Sequence, residues 1–137
     1  MAGGIETASA GHDVVMCPTS HCYFDYRQSI DKTREPPAIG DHVLPLEKVY
    51  GFDPIPQALP PQAAQHVLGA QGNVWSEYIP TYEQVEYMTY PRATALAEVV
   101  WSPPDGQDFQ DFLQRLRVFL ARLKALGVNY RDPLEPH

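Results

Sequence analysis

Apolar and polar positions divide the chain into short apolar runs early and two long amphipathic stretches late. Residues 3–10 read as the end of a helix stopped by Gly11. Asp13-Val14-Val15-Met16-Cys17, closed by Pro18, has the pattern of a strand buried on both faces. Val67-Leu68-Gly69-Ala70-Gln71-Gly72 reads as a second such strand, preceded by a helical turn over 60–66. Between them, residues 19–61 are irregular and rich in proline, aspartate and aromatics. A short helix is predicted there at Leu46–Tyr50, with turns at Asp53-Pro54 and Ile55-Pro56. Thr81, with Gln84 in the capping-box position, opens a predicted helix over 82–101 that Pro91 interrupts and Pro103-Pro104 ends. Over 109–126, Phe109, Phe112, Leu113, Leu116, Phe119, Leu120, Leu123 and Leu126 form one stripe. Arg115, Arg117, Arg122 and Lys124 lie mainly elsewhere, and Gly127 is the C-cap signal.

The order is helix, strand, long loop, turn, strand, loop and helices, an α/β alternation suited to a parallel sheet. Two strands cannot cover their own faces and edges, so the pattern predicts that something of the sheet is missing.

Length and composition narrow the class. A chain of 137 residues fits one domain, and 44% hydrophobic with 20% charged residues describes a globular protein rather than a disordered one. A formal charge of −7, from 10 basic against 17 acidic residues, argues against nucleic acid or an anionic membrane as partner. No stretch approaches the ~20 apolar residues of a membrane span, and Met-Ala-Gly-Gly-Ile-Glu has no signal-peptide character, so no export signal is visible. The 14 prolines, about twice average usage, point to long structured loops, which often carry function. Cys17 and Cys22 read as free thiols and leave the redox compartment open; together with His12 and His21 they do not match the spacing of structural zinc sites.

Two segments concentrate aromatic and carboxylate groups directly after the predicted strands: Ser20-His21-Cys22-Tyr23-Phe24-Asp25-Tyr26 and Gly72-Asn73-Val74-Trp75-Ser76-Glu77-Tyr78. Ligands of parallel α/β folds sit at the carboxyl ends of strands, so both occupy the expected place for a site. An aromatic ring covers the C–H face of a pyranose, and carboxylates accept hydrogen bonds from its hydroxyls. From spacing alone, core packing for the rings and solvation or capping for the carboxylates are equally good readings.

At these residues the chain resembles the C-terminal part of the catalytic barrel of family-20 glycoside hydrolases, the β-N-acetylhexosaminidases. The resemblance runs through Gly11-His12-Asp13-Val14-Val15-Met16, Pro18-Thr19-Ser20-His21-Cys22-Tyr23-Phe24-Asp25-Tyr26 and Leu44-Pro45-Leu46-Glu47-Lys48-Val49-Tyr50. It continues through Leu68-Gly69-Ala70-Gln71-Gly72-Asn73-Val74-Trp75-Ser76-Glu77-Tyr78, Glu86-Tyr87-Met88 and Pro91-Arg92. It implies a partial (β/α)₈ barrel, residues 1–137 supplying the last two strands, their helices and a C-terminal amphipathic helix; whole barrels take ~250 residues.

The implied activity is hydrolysis of terminal, non-reducing N-acetylglucosamine or N-acetylgalactosamine from glycans, without metal or organic cofactor. In that substrate-assisted retaining route the substrate's acetamido carbonyl attacks its own anomeric carbon. Carried over to this chain, Tyr23 would donate to the acetamido oxygen, Trp75 would floor the pocket, and Asp25 and Glu77 would bind outer sugar hydroxyls. The family's Asp-Glu pair, which orients the acetamido nitrogen and protonates the leaving oxygen, has no counterpart, because no Asp-Glu dipeptide occurs in the sequence. The early-strand arginine of the family is absent too. A general acid contributes ~10²–10⁴ in rate, so the chain alone is expected to be inactive or nearly so.

Two alternatives come from other classes: a non-catalytic remnant or sugar-binding module, and an interaction protein built on the last helix. A truncated barrel is also expected to self-associate or to need an N-terminal barrel portion. Glu83 and Glu86 read as solvated helix charges, whereas Glu98 sits among apolar residues and is a candidate partner for Arg92.

Overall fold

A computed structural model describes residues 1–134. Helix α1 (Ala2–Ser9) leads through Gly11, whose φ of 84° suits a residue without a side chain, into strand β1 (Val14–Met16). Strand β2 (Val67–Ala70) pairs parallel to it, with Val14 opposite Val67, Val15 opposite Gly69 and Met16 opposite Ala70. The register skips Leu68, and Gly69, with a φ of 144°, absorbs the irregularity. Met16 is buried, but Val15 is exposed and Leu68 is 66% exposed. The expectation of strands buried on both faces is corrected here: within this two-stranded sheet the second face is bare.

The core gathers Met16, Phe24, Leu44 and α3 (Leu46–Tyr50) under the last two helices, α5 (Arg92–Trp101) and α6 (Phe109–Ala125). Phe112, Leu116, Leu120 and Leu123 bury the α6 stripe, while Leu126 lies beyond the helix end and is exposed. Asp108, unrecognised in the sequence, caps α6 by accepting from the amides of Gln110 at 2.8 Å and Asp111 at 3.1 Å. At the other end Gly127, φ 73°, lets the Val128 amide reach the Leu123 carbonyl at 3.0 Å.

Pro91, preceded by a cis peptide bond, splits the predicted 82–101 helix into α4 (Tyr82–Thr89) and α5. The Gln84 amide donates to Thr81 Oγ1 at 3.2 Å. The Gln84 side chain does not return to the cap. It donates instead to the carbonyls of Pro37 at 2.9 Å and Tyr78 at 3.0 Å, fastening the long loop to α4.

That loop is ordered by side chains as much as by backbone. It opens with α2 (Thr19–Cys22) and closes on itself where the Arg27 amide donates to the His42 carbonyl at 3.2 Å and the Leu44 amide to the Arg27 carbonyl at 2.7 Å. Gln28 Nε2 reaches the Tyr87 carbonyl at 2.6 Å, and the Glu35–Arg131 ion pair, 3.1 Å, ties the loop to the C-terminal segment. Glu98 pairs with Arg115 at 2.5 Å and accepts from the Tyr50 hydroxyl at 3.0 Å, which corrects its expected pairing with Arg92. Cys17 and Cys22 are free, the first exposed and the second buried. No helix among the described residues is long and apolar enough to cross a membrane.

Candidate functional site

The two aromatic–carboxylate segments leave the sheet side by side because pairing continues past the strand ends. The Asn73 amide donates to the Cys22 carbonyl at 2.7 Å, and the Phe24 amide donates to the Asn73 carbonyl at 2.7 Å, so Tyr23 and Asn73 form an isolated parallel bridge. Gly72 makes this approach sterically feasible: a Cβ there would lie 2.6 Å from Phe24 Cε2. Asn73 is buried and its Oδ1 accepts from Gln71 Nε2 at 2.6 Å.

Beyond the bridge the rings meet. Tyr23 lies 6.4 Å from Trp75 at 52° and 5.8 Å from Tyr26 at 45°, and Tyr26 stacks on His42 at 4.6 Å. The first two pairs are tilted and the third is stacked, at separations ordinary for such contacts. Trp75 remains 56% exposed, so the indole is presented outward rather than packed in the core. Glu77, in a short 3₁₀ turn over Ser76–Tyr78, is exposed.

Asp25 differs from Glu77 in environment. It is only 5% exposed, and its Oδ1 is buried without a hydrogen-bond partner. Burial pushes its carboxyl above the ordinary range. A backbone hydrogen bond and the charges of Arg92 and His42 oppose that shift, and Glu77 reinforces it. Two carboxylates within electrostatic reach of each other, that of Glu77 exposed, suit a ligand that brings hydroxyl donors.

All four sequence-predicted site residues thus fall on adjoining segments, with Tyr23 and Trp75 in ring contact and Asp25 and Glu77 electrostatically coupled. Sequence reasoning missed the joining residues Asn73 and Gly72, and the buried Gln28. The amide–glycine sequence Gly72-Asn73 after a strand was the available signal. Cavities of about 390 and 310 Å³ run along β2 and α5, lined in part by Leu68, Val100 and Trp101, and contain none of the four residues. Of the four, Trp75 and Glu77 are exposed, Tyr23 is half-buried and Asp25 is buried. Among the described residues no three His, Cys, Asp or Glu side chains come together as metal ligands.

Comparison with known proteins gives the geometry a context. The description "Glycosyl hydrolase family 20, catalytic domain" matches residues 2–104. A beta-hexosaminidase of Porphyromonas gingivalis is 47% identical over 133 residues, covering 96% of this chain and 17% of the relative. A beta-hexosaminidase of Akkermansia muciniphila is 32% identical, and the chain spans 22% of it. The chain therefore spans about a fifth of the length of these relatives. The crystal structure of a GH20 exo-β-N-acetylglucosaminidase from Vibrio harveyi, in complex with N-acetylglucosamine, superposes with a TM-score of 0.87 at 34% identity. The match covers 98% of this chain and 21% of that one. The GH20 β-N-acetylhexosaminidase of Streptomyces coelicolor superposes with a TM-score of 0.81 at 26% identity, over 98% and 27%. The α/β fold is thus shared with part of these enzymes.

Proposed function

The chain belongs to glycoside hydrolase family 20, and from that premise we propose that it forms one wall of an N-acetylhexosamine pocket, as the last two strands and following helices of a (β/α)₈ barrel, residues 1–137 being the C-terminal portion of the catalytic domain. The activity this wall serves is release of terminal, non-reducing N-acetylglucosamine or N-acetylgalactosamine by the substrate-assisted retaining route. The observation that carries the reading is the Tyr23–Trp75 ring pair, its indole 56% exposed, on segments that also carry the exposed Glu77 and the carboxyl of Asp25 on which its charge acts. That combination offers an apolar surface for a sugar face and an acceptor for a sugar hydroxyl.

In this reading the Tyr23 hydroxyl donates to the acetamido oxygen and holds it in line with the anomeric carbon. The benefit is positional, since an aligned internal nucleophile is worth several kcal/mol of barrier, about 7–11 in favourable cases. Trp75 lies under the ring, and Asp25 and Glu77 accept from the outer hydroxyls. No Asp-Glu dipeptide stands in this sequence, so protonation of the leaving oxygen falls to groups outside it. The bare face and edges of the β1–β2 sheet need partner strands, supplied by the rest of a barrel or, in its absence, by self-association.

Titrating the chain with N-acetylglucosamine, beside a Tyr23→Phe control, tests the wall directly. Saturable binding that Tyr23→Phe weakens is expected, with no release of nitrophenol from a nitrophenyl N-acetyl-β-glucosaminide. No binding by the folded chain would overturn the proposal. Binding without hydrolysis, even with the rest of a barrel present, would favour a sugar-binding module.

A further inference from the structure

Arg92 is fully buried, the largest side chain so enclosed among the described residues. Nε donates to the Met88 carbonyl at 3.2 Å. Nη1 donates to the carbonyls of Tyr26 at 2.9 Å and Leu44 at 3.1 Å, and Nη2 to those of Phe24 and Met88, both at 2.5 Å. A guanidinium has five N–H donors, and these five contacts use the full set. Its carbon also lies 5.1 Å from the centre of the Phe24 ring. The described residues give it no direct salt bridge; Glu35 and Asp25 act on it only at longer range. A buried cation without an ion-pair partner is costly, and an apolar side chain of similar volume would pack at less expense.

The carbonyls it holds explain its place. Phe24 and Tyr26 flank Asp25, and Leu44 lies in the stretch that pairs with Arg27. Residues 24–26 lie beyond the end of β1, and at Phe24 the ladder supplies a partner for the amide but not for the carbonyl, which the guanidinium takes. Without it the carbonyls of Phe24 and Leu44 would be buried and unpaired, at a cost of ~1–3 kcal/mol each, and the part-buried Tyr26 carbonyl would lose its partner as well. The segment would then reorganise around Asp25 and its neighbour Tyr23.

We propose that Arg92 is a positioning residue for the candidate sugar site, clamping the carbonyls of Phe24, Tyr26 and Leu44 from the α4–α5 junction and thereby fixing the segment that presents Tyr23 and Asp25. The clamp itself does not depend on what the site binds; its consequence for sugar affinity rests on the proposed function above.

The test compares the full chain with Arg92→Lys, which keeps a charge and fewer donors, and Arg92→Met, which keeps volume without donors. Amide hydrogen exchange at Phe24, Arg27 and Leu44 is expected to quicken at least tenfold in Arg92→Met and less in Arg92→Lys, with the α6 amides changing far less. N-acetylglucosamine affinity of the folded protein should fall at least tenfold in Arg92→Met and be partly restored in Arg92→Lys. A residue that only stabilises the fold would lower the melting temperature and leave the affinity of the folded fraction intact, and that result would overturn the proposal. Unchanged exchange at the three amides would overturn it too. If wild type binds no sugar, the functional reading fails while exchange still decides the clamp. If the variants do not fold, the wild-type guanidinium is read by NMR: slowly exchanging, separate Nη protons support the clamp, and a freely rotating, rapidly exchanging group refutes it.

Discussion

Gly72 faces the Phe24 ring so closely that a single added methyl carbon would stand 2.6 Å from Cε2 and 3.0 Å from Cζ. That contact sets how near the two site-bearing segments come, and Phe24 is itself buried beneath Arg92. Gly72→Ala should therefore push the Phe24 ring away and loosen the Tyr23–Asn73 bridge, at about 1–3 kcal/mol, the range for overpacking a filled core. Thermal unfolding checks the stability, and the Phe24 and Asn73 amide shifts check the bridge. A variant as stable as wild type with unmoved shifts would contradict the steric argument.

Asp25 should show the opposite balance between stability and binding. Its carboxyl is raised by burial, so at a pH between its unfolded and folded values the native state holds more protons than the unfolded one. Stability from this group accordingly falls as pH rises through that window. Asp25→Asn keeps the shape and removes the desolvated charge, so it is expected to raise stability at neutral pH. Sugar affinity should drop in the same variant. Melting curves and ligand titration measured together decide it, and a variant that is both less stable and equally tight would sink the assignment.

Much of this arrangement was legible in the sequence where local chemistry governs it. Leu46–Tyr50 and the break at Pro91 follow from apolar spacing and proline, and Thr81 caps its helix as its hydroxyl suggests. The four candidate residues stand on adjoining segments because strand ends in a parallel sheet point the same way. What periodicity could not reveal were long-range polar contacts. Arg92 is the partner the sequence offers Glu98, yet it bonds carbonyls up to 68 residues away, while Glu98 turns to Arg115. Val15 and Leu68 were expected inside because short apolar strands are ordinarily covered on both faces; here one face has no layer upon it.

The two thiols should differ sharply in reactivity. Burial, reinforced by the nearby Cys17, pushes the Cys22 thiol up to about 12, whereas Cys17 is exposed. Since the thiolate is the reactive form, iodoacetamide near neutral pH should add one group to the native chain, at Cys17, and a second only after unfolding. Intact and peptide mass spectrometry reads both numbers. Rapid native labelling of Cys22 would mean that the α2 segment ahead of Tyr23 opens far more readily than its burial implies.

Glu98 carries the clearest acid-side linkage. Its carboxylate is held below the ordinary range, first by the Arg115 hydrogen bonds and then by the Tyr50 hydroxyl, with burial opposing. Because its folded value is depressed, its contribution is present above the ordinary carboxylate range and is lost as pH falls through the folded value. Tyr50 stacks on Phe112 at 4.7 Å, so this carboxylate links α3, α5 and α6 at one point. Glu98→Gln keeps the shape but gives up the charge, and Arg115 is half exposed, so solvent screens the pair. The expected loss is about 1 kcal/mol near neutral pH, shrinking towards zero under acid, where the wild-type group is itself protonated. Denaturant midpoints of both proteins, taken from neutral pH downward, should converge; parallel curves would show that the charge on Glu98 contributes nothing to holding the helices together.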